Sequence, residues 1–169
     1  MKKIIFFFIF FCTFIQIVKA EIVYIDINSI LNKSDVGKSL NDFLEKIENK
    51  DLEKYKLIEA QLIKKEKELI AQQNILVKDE FQKKLASLTT EVQKYRSDKK
   101  TSLDELNKLK IEKTKEILKV LNPIITKYVD LNSISLVIPK KNIIVGKKNL
   151  DITEQIIQLL NNDIKKLKF

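Results

Sequence analysis

The sequence contains no histidine, no tryptophan and a single cysteine, Cys12, near its start. Histidine is the usual general base and the commonest metal ligand, and cysteine supplies thiol and zinc chemistry. Their absence beyond residue 12 leaves an enzyme only carboxylates and lysines, and no cluster of these stands out. Asp26, Asp130 and Asp151 form the one conceivable carboxylate group, but turn and cap positions explain them better. We therefore predict a protein that is not an enzyme and needs no cofactor.

Arginine is almost absent as well. Arg96 is the only one among 32 basic residues, against 23 acidic residues, and the net charge is +9. Lysine acts as a point charge, whereas the arginine fork recognises phosphate through two bonds. The excess of lysine therefore favours diffuse attraction to acidic surfaces over specific recognition of phosphate groups. Nucleic-acid binding is not expected, because basic and aromatic residues form no shared platform.

The first twenty residues have the layout of a secretory signal peptide. Lys2 and Lys3 precede an apolar run from Ile4 to Val18, which is short for a membrane-spanning helix of about 20 residues. Val18 and Ala20 supply small residues for cleavage after Ala20. The alternative is an uncleaved anchor. Cleavage would remove three lysines, leave a net charge of about +6 on the mature chain and place it outside the inner membrane.

Helix-breaking residues are rare, and between Gly37 and Pro123 there are none. That stretch is rich in good helix formers. Its apolar residues recur at three- and four-residue steps, as at Phe81, Leu85, Leu88, Val92 and Tyr95, which is typical of a coiled-coil seam. We predict an antiparallel helical hairpin arm over residues 35–129, each helix about 60–75 Å long. The heptad phase changes near residues 74–79, which indicates the tip, with Asp79 capping the returning helix.

The two ends of the sequence differ from its middle. Residues 21–27 and 134–138 are β-branched or aromatic and predict strands, and residues 142–146 predict a third. Asn28 or Ser29 is expected to cap a short helical turn, and Ser34 or Asp35 to start the first arm helix. Asp151 with Glu154 has the spacing of a capping box before a last helix, whose apolar face includes Ile152, Ile156, Leu159, Leu160 and Ile164.

The fold class predicted is thus mostly α with a small β body, in which the arm projects from an oligomerising β-sheet or barrel. The body comprises residues 21–34 and 130–169. A sheet of three strands cannot bury both of its apolar faces or pair its open edges within one chain. A closed oligomer would bury the faces and pair the edges. The residues we expect at the oligomer interface are Val23, Ile25, Ile27, Leu136, Ile138, Ile143 and Val145.

These elements, in this order, resemble the Skp/OmpH family of periplasmic chaperones. The resemblance lies in residues 22–31 with Gly37 and Lys38, in residues 131–138, and in the Asp151-Ile152-Thr153 segment before the last helix. Residues 69–80 are similar to the family's tip region. The resemblance implies a homotrimer with three arms around a cavity that holds unfolded outer-membrane proteins without ATP. It also implies contact with acidic membrane or lipopolysaccharide surfaces in some members, and the scarcity of arginine argues against an arginine-based site of that kind here.

Clients are expected to contact the arm near its tip. Charge would come from Lys78, Lys83 and Lys84, and apolar contact from Ile75, Leu76, Val77 and Phe81. The alternative interpretation is that Leu76 and Phe81 pack the hairpin and that the lysines form a solvated face. For the whole protein, the alternative function is an exported coiled-coil spacer or adaptor with one folded partner.

Overall fold

The computed structural model describes residues 20–163. Strand β1 spans Glu21–Ile25, helix α1 Ile27–Lys33, helix α2 Asp35–Ala71, helix α3 Lys78–Leu131, strand β2 Ile134–Pro139 and helix α4 Thr153–Asp163, with short 3-10 turns at Lys140–Asn142 and Lys148–Leu150. The predicted signal peptide, apart from Ala20, and Ile164 lie outside the described residues. A mostly helical chain with a small β element is confirmed.

A single residue, Asp26, separates β1 from helix α1. Its cap is Asp26, whose carboxylate accepts a hydrogen bond from the Ser29 amide at 2.9 Å. The prediction of a cap at Asn28 or Ser29 is wrong, because both lie inside the helix that Asp26 opens. Of the two residues predicted to start α2, Ser34 is the cap, and its hydroxyl accepts from the Gly37 amide at 3.2 Å. A Cβ on Gly37 would lie 1.8 Å from the Leu31 carbonyl oxygen, so this corner requires glycine.

Helices α2 and α3 run antiparallel and pack against each other. The Tyr55 hydroxyl donates to the Asp98 carbonyl at 2.9 Å, and the Lys65 ammonium contacts Glu91 at 2.5 Å. Nearer the connecting turn, the Lys84 ammonium donates to Gln72 at 3.0 Å. From the body toward the turn, residue numbers increase along α2 and decrease along α3, as expected for an antiparallel pair. At 1.5 Å per residue, α2 is about 55 Å long.

The returning helix α3 has Val77 at its cap position, and no side chain caps it. The prediction that Asp79 caps this helix is therefore wrong by two residues. Asp79 and Glu80 do lie in its first turn, as predicted, where the positive end of the helix favours carboxylates. Pro123 lies inside α3, which continues to Leu131.

The described sheet has two parallel strands, β1 and β2, with Val23 opposite Val137 and Tyr24 opposite Ile138. On the other edge of β1, Tyr24 forms a bridge with Asp151, and the Ile152 amide donates to the Tyr24 carbonyl at 3.0 Å. The prediction of a third strand at residues 142–146 is wrong for the single chain. Its β-branched residues find no strand partner within residues 20–163, and β propensity alone does not supply one.

The core lies where the sheet, α1, α4 and the adjoining ends of α2 and α3 meet. Ile30, Ile117, Leu121, Ile156 and Leu160 are completely buried there. Farther along α2 and α3 the buried apolar residues are only Tyr55 and Leu69, among those described. The paired helices are thus firmly packed at one end and thinly packed along the rest.

Helix α4 begins at Thr153, and the Asp151 carboxylate accepts from its amide at 3.0 Å. The capping-box prediction for Asp151 and Glu154 is wrong. The Asp151 amide donates to the Lys148 carbonyl, and Glu154 lies 3.8 Å from the Lys33 ammonium. Asp151 sits two residues before the helix because its backbone pairs with β1.

Candidate functional site

Three exposed apolar residues, here together called the tip patch, lie in or next to the turn between α2 and α3: Ile70, Ile75 and Val77. Both the Ile75 and the Leu76 amides donate to the Gln72 carbonyl, which closes the turn. Ile75 is 79% exposed, and Ile70 and Val77 are also largely exposed. Exposed aliphatic side chains at the end of two charged helices form a surface that can bind apolar segments weakly.

The structure divides the seven predicted client-binding residues into two groups. Leu76 and Phe81 are half-buried, which agrees with packing between the helices. Ile75, Val77, Lys78, Lys83 and Lys84 are exposed. The Lys84 ammonium also contacts Gln72 at 3.0 Å and Glu80 at 3.7 Å. Sequence reasoning missed Ile70 of the tip patch, although the apolar pattern of α2 includes it.

One flank of the paired helices is polar. It carries the Lys65–Glu91 pair at 2.5 Å, the Lys94–Asp98 pair at 2.6 Å and the Lys84–Gln72 hydrogen bond. The depression on this flank, about 250 Å³, is lined largely by charged and polar side chains. This flank has its charges satisfied within the chain.

The opposite flank is apolar and holds two grooves. The base groove, about 400 Å³, is lined by Leu52, Tyr55, Leu103 and Leu106, with charged residues at its rim. The distal groove, about 610 Å³, lies nearer the turn and is lined by Leu62, Ile63, Leu85, Leu88, Val92 and Tyr95, again with charged neighbours. Glu59 lines both grooves. The spacing of the apolar residues predicts the seam but not this flank, because the flank depends on the side of the seam on which each residue lies.

A tyrosine pair joins the helices between the grooves. The rings of Tyr55 and Tyr95 meet edge-on with centroids 6.0 Å apart, and the Tyr95 hydroxyl donates to Glu59 at 3.0 Å. The Lys99 ammonium lies 5.5 Å from the centre of the Tyr95 ring. This contact fixes the spacing of α2 and α3 at mid-length, where few other apolar residues are buried.

The predicted interface residues of the body also separate by exposure. Val23 and Ile25 are each 3% exposed and pack into the core of their own chain, and Ile27 lies against that core. Leu136 and Val145 are exposed, and Ile138 and Ile143 are half-buried. Exposed apolar residues that sequence reasoning missed here are Ile22, Leu131 and Ile144.

Residues 140–151 cover part of the outer face of the sheet. The Tyr24 hydroxyl donates to the Lys147 carbonyl at 3.3 Å, and the Lys140 ammonium pairs with Asp151 at 3.0 Å. Burial by itself raises the pKa of Asp151, but hydrogen bonds from Thr153 and Lys140 outweigh it, so this pKa lies below its ordinary value. The same hydrogen bond and the charge of Asp151 raise the pKa of Lys140.

Two negative findings concern residues 20–163 only. No group of three or more acidic side chains is placed to hold a metal ion. No helix there is long and apolar enough to cross a membrane.

The fold and the exposed surfaces define a class: a chain with two long antiparallel helices joined to a small α/β body. The family described as outer membrane protein (OmpH-like) matches residues 21–160. The chain therefore belongs to the OmpH-like family of outer membrane proteins, as the sequence resemblance predicted.

A solved structure agrees with the fold. The crystal structure of a candidate outer membrane chaperone (OmpH-like) from Caulobacter crescentus CB15 is similar to this chain, with a TM-score of 0.79 and 17% sequence identity. The alignment covers 89% of each chain. At this identity, the similarity concerns the fold alone. No curated protein sequence matches the chain.

Proposed function

We propose that this protein is an ATP-independent periplasmic holdase, which binds unfolded outer-membrane proteins and keeps them from aggregating before membrane insertion. The observation that carries the proposal is the exposed apolar surface on the paired helices, at the tip patch and along one flank. Family membership agrees with it. Soluble chains rarely expose contiguous apolar patches unless those patches bind something.

Retention in this proposal comes from many weak contacts within an enclosure. The sequence has no glycine-rich phosphate loop and no Gly-Lys-Ser/Thr motif that would bind a nucleotide. The paired helices of several subunits, acting as arms, surround one client and keep its segments at high effective concentration near each arm. Their lysines, including Lys78 and Lys83, attract acidic clients and speed capture at low salt.

The body is the proposed site of oligomerisation, with a homotrimer as the expected assembly. Ile22 and Leu136 are paired across the sheet and about half exposed on its outer face, and the second edge of β2 is open among the described residues. Ile144 and Val145 are 100% and 89% exposed. A neighbouring subunit that paired with this edge would cover these apolar residues and complete a closed sheet.

The proposed site of action rests on the signal-peptide pattern of residues 1–20. We propose that residues 1–20 direct export and are removed after Ala20, which places the mature protein in the periplasm. The lysine-rich surface would also attract acidic membrane or lipopolysaccharide surfaces. Binding to vesicles with and without anionic lipid, at several salt concentrations, tests that attraction separately from client capture.

The test of the holdase function is light scattering of a urea-denatured outer-membrane β-barrel protein diluted with and without the chain from residue 21 onward. We expect near-complete suppression of scattering at a stoichiometric amount of oligomer without nucleotide, and slower capture at high salt. Unchanged scattering, together with tight binding to one folded partner, would instead support a spacer or adaptor. Salt-independent capture would remove the charge contribution from the mechanism.

A further inference from the structure

The apolar flank of the paired helices has a regular arrangement. Leu52 and Ile63 lie about three helical turns apart on one face of α2, and Leu85 and Leu103 lie about five turns apart on one face of α3. All four are 40–62% exposed. The two grooves that they line are consecutive along the helices and meet at Glu59. The spacing of Leu85 and Leu103 gives this surface a length of about 27 Å.

We propose that the apolar flank binds an extended segment of the client with apolar side chains at alternate positions, which enter the two grooves. The inference rests on the proposed function and specifies the surface and the conformation that it recognises. An extended chain rises about 3.3 Å per residue, so about eight residues span the flank and about four side chains point toward it. Alternating apolar residues are the pattern of a strand with one apolar face.

The polar bridge between the grooves favours an extended occupant over a helical one. A helix about 10 Å wide needs a continuous apolar trough, and the Tyr95–Glu59 hydrogen bond interrupts this one. An extended segment can place apolar side chains on either side of the bridge. Glu59 lies at the surface, and its carboxylate has acceptor sites that the Tyr95 hydroxyl does not use. Backbone amides of the segment can donate to these sites.

The rim of the flank complements the polar positions of such a segment. Lys56 and Arg96 provide positive charge and Glu48 and Glu66 negative charge, and none of the four forms an ion pair within residues 20–163. The other flank differs, because its main charges are already paired. A surface with an apolar floor and free charges of both signs suits many sequences rather than one partner.

The chain offers a matched control for the test. Leu57 is 67% exposed, similar to Leu52 at 62%, and lies on the same helix. It is five residues from Leu52, about 140° around the helix, and lines neither groove. The same change, leucine to glutamate, can therefore be made on and off the proposed surface with similar effects on helix stability and charge.

The experiment measures binding of a labelled 12-residue peptide with alternating apolar and neutral polar residues, by fluorescence anisotropy, to the full oligomer. We expect Leu52→Glu and Leu103→Glu each to weaken binding about tenfold, since each half-exposed leucine loses its apolar contact. Leu57→Glu should stay within about twofold of the wild type. Circular dichroism and oligomer mass are checked for each variant, and Ile63→Glu provides a second test in the distal groove.

Three results would overturn the inference. Equal effects of Leu52→Glu and Leu57→Glu would show that the flank has no special role. Stronger binding of a helix-forming amphipathic peptide of the same composition would assign the flank to a helix. A change in oligomer mass with Leu52→Glu alone would assign it to a second copy of the chain. If the wild type suppresses aggregation of the denatured client in any of these cases, the proposed function stands and only this inference falls.

Discussion

Replacing Gly37 by alanine tests the packing of the corner that joins α1 to α2. The added Cβ would lie 1.8 Å from the Leu31 carbonyl oxygen and 2.6 Å from the Leu31 carbonyl carbon. Both atoms belong to the backbone, so the new contact cannot be relieved by rotating a side chain. To reach ordinary contact the two helix ends must separate by about 1.5 Å. This movement would also disturb the hydrogen bond from the Gly37 amide to the Ser34 hydroxyl.

The expected cost follows from these opposing effects. Overpacking and a weakened cap together cost about 3 kcal/mol, and alanine regains about 1 kcal/mol of helix propensity relative to glycine. We therefore expect Gly37→Ala to lower the free energy of unfolding by about 2 kcal/mol, measured by urea denaturation followed by circular dichroism.

The matched control is Gly146→Ala, whose Cβ would lie 2.9 Å from the edge of the Tyr24 ring. A ring edge can shift more easily than two helix backbones, so this variant should lose less than about 1 kcal/mol. A Gly37→Ala protein as stable as the wild type, or more stable, would refute the argument from the corner geometry.

Three further predictions concern stability. Leu121→Ala should lower the free energy of unfolding by about 2–5 kcal/mol, because the side chain is completely buried, and differential scanning calorimetry will show this as a lower Tm. Tyr55→Phe should cost about 1 kcal/mol in urea denaturation through loss of the bond to the Asp98 carbonyl, and a loss above about 3 kcal/mol would mean that the mid-length contact does more than its hydrogen bond. Asp151→Asn should be less stable than the wild type near neutral pH. Because the pKa of Asp151 is lowered on folding, the wild type should lose this advantage as pH falls below 3.8, and a stability difference that stays constant to pH 2 would contradict the assignment.

The long helices were predictable because helix formers, seam spacing and the absence of Gly and Pro all indicate the same structure. The turn was placed at residues 74–79, whereas α2 ends at Ala71 and α3 begins at Lys78. No glycine marks this turn, and only a change of heptad phase indicates it, so its bounds could be set only within a few residues. Ser34 was predictable as a cap because a serine precedes an acidic first turn.

Other features depend on tertiary structure. Asp26 was assigned to the strand by its neighbours, although its carboxylate caps α1 once β1 has ended at Ile25. The β-branched residues 142–146 indicate a strand, but a strand needs a partner edge, and within this chain Asp151 occupies the second edge of β1. Val23 and Ile25 were expected at a subunit interface, yet α1, α4 and the helix ends bury them within the chain.

The candidate site was predictable only in part. Ile75 and Val77 can be proposed from the sequence because they lie in the turn, where apolar residues have few neighbours. The apolar flank was not found, since Leu52 and Leu57 look alike in the sequence and differ only in the direction that each faces around α2. The helical repeat gives relative angles, but it does not say which side of the partner helix each residue meets.

The most direct test of the holdase account is native mass spectrometry of the purified oligomer mixed with a urea-denatured outer-membrane β-barrel protein, in the absence of nucleotide. The account predicts a complex of one unfolded client with one complete oligomer, which releases the client only when a membrane or detergent is supplied. An oligomer that remains free of client while the client aggregates would contradict it.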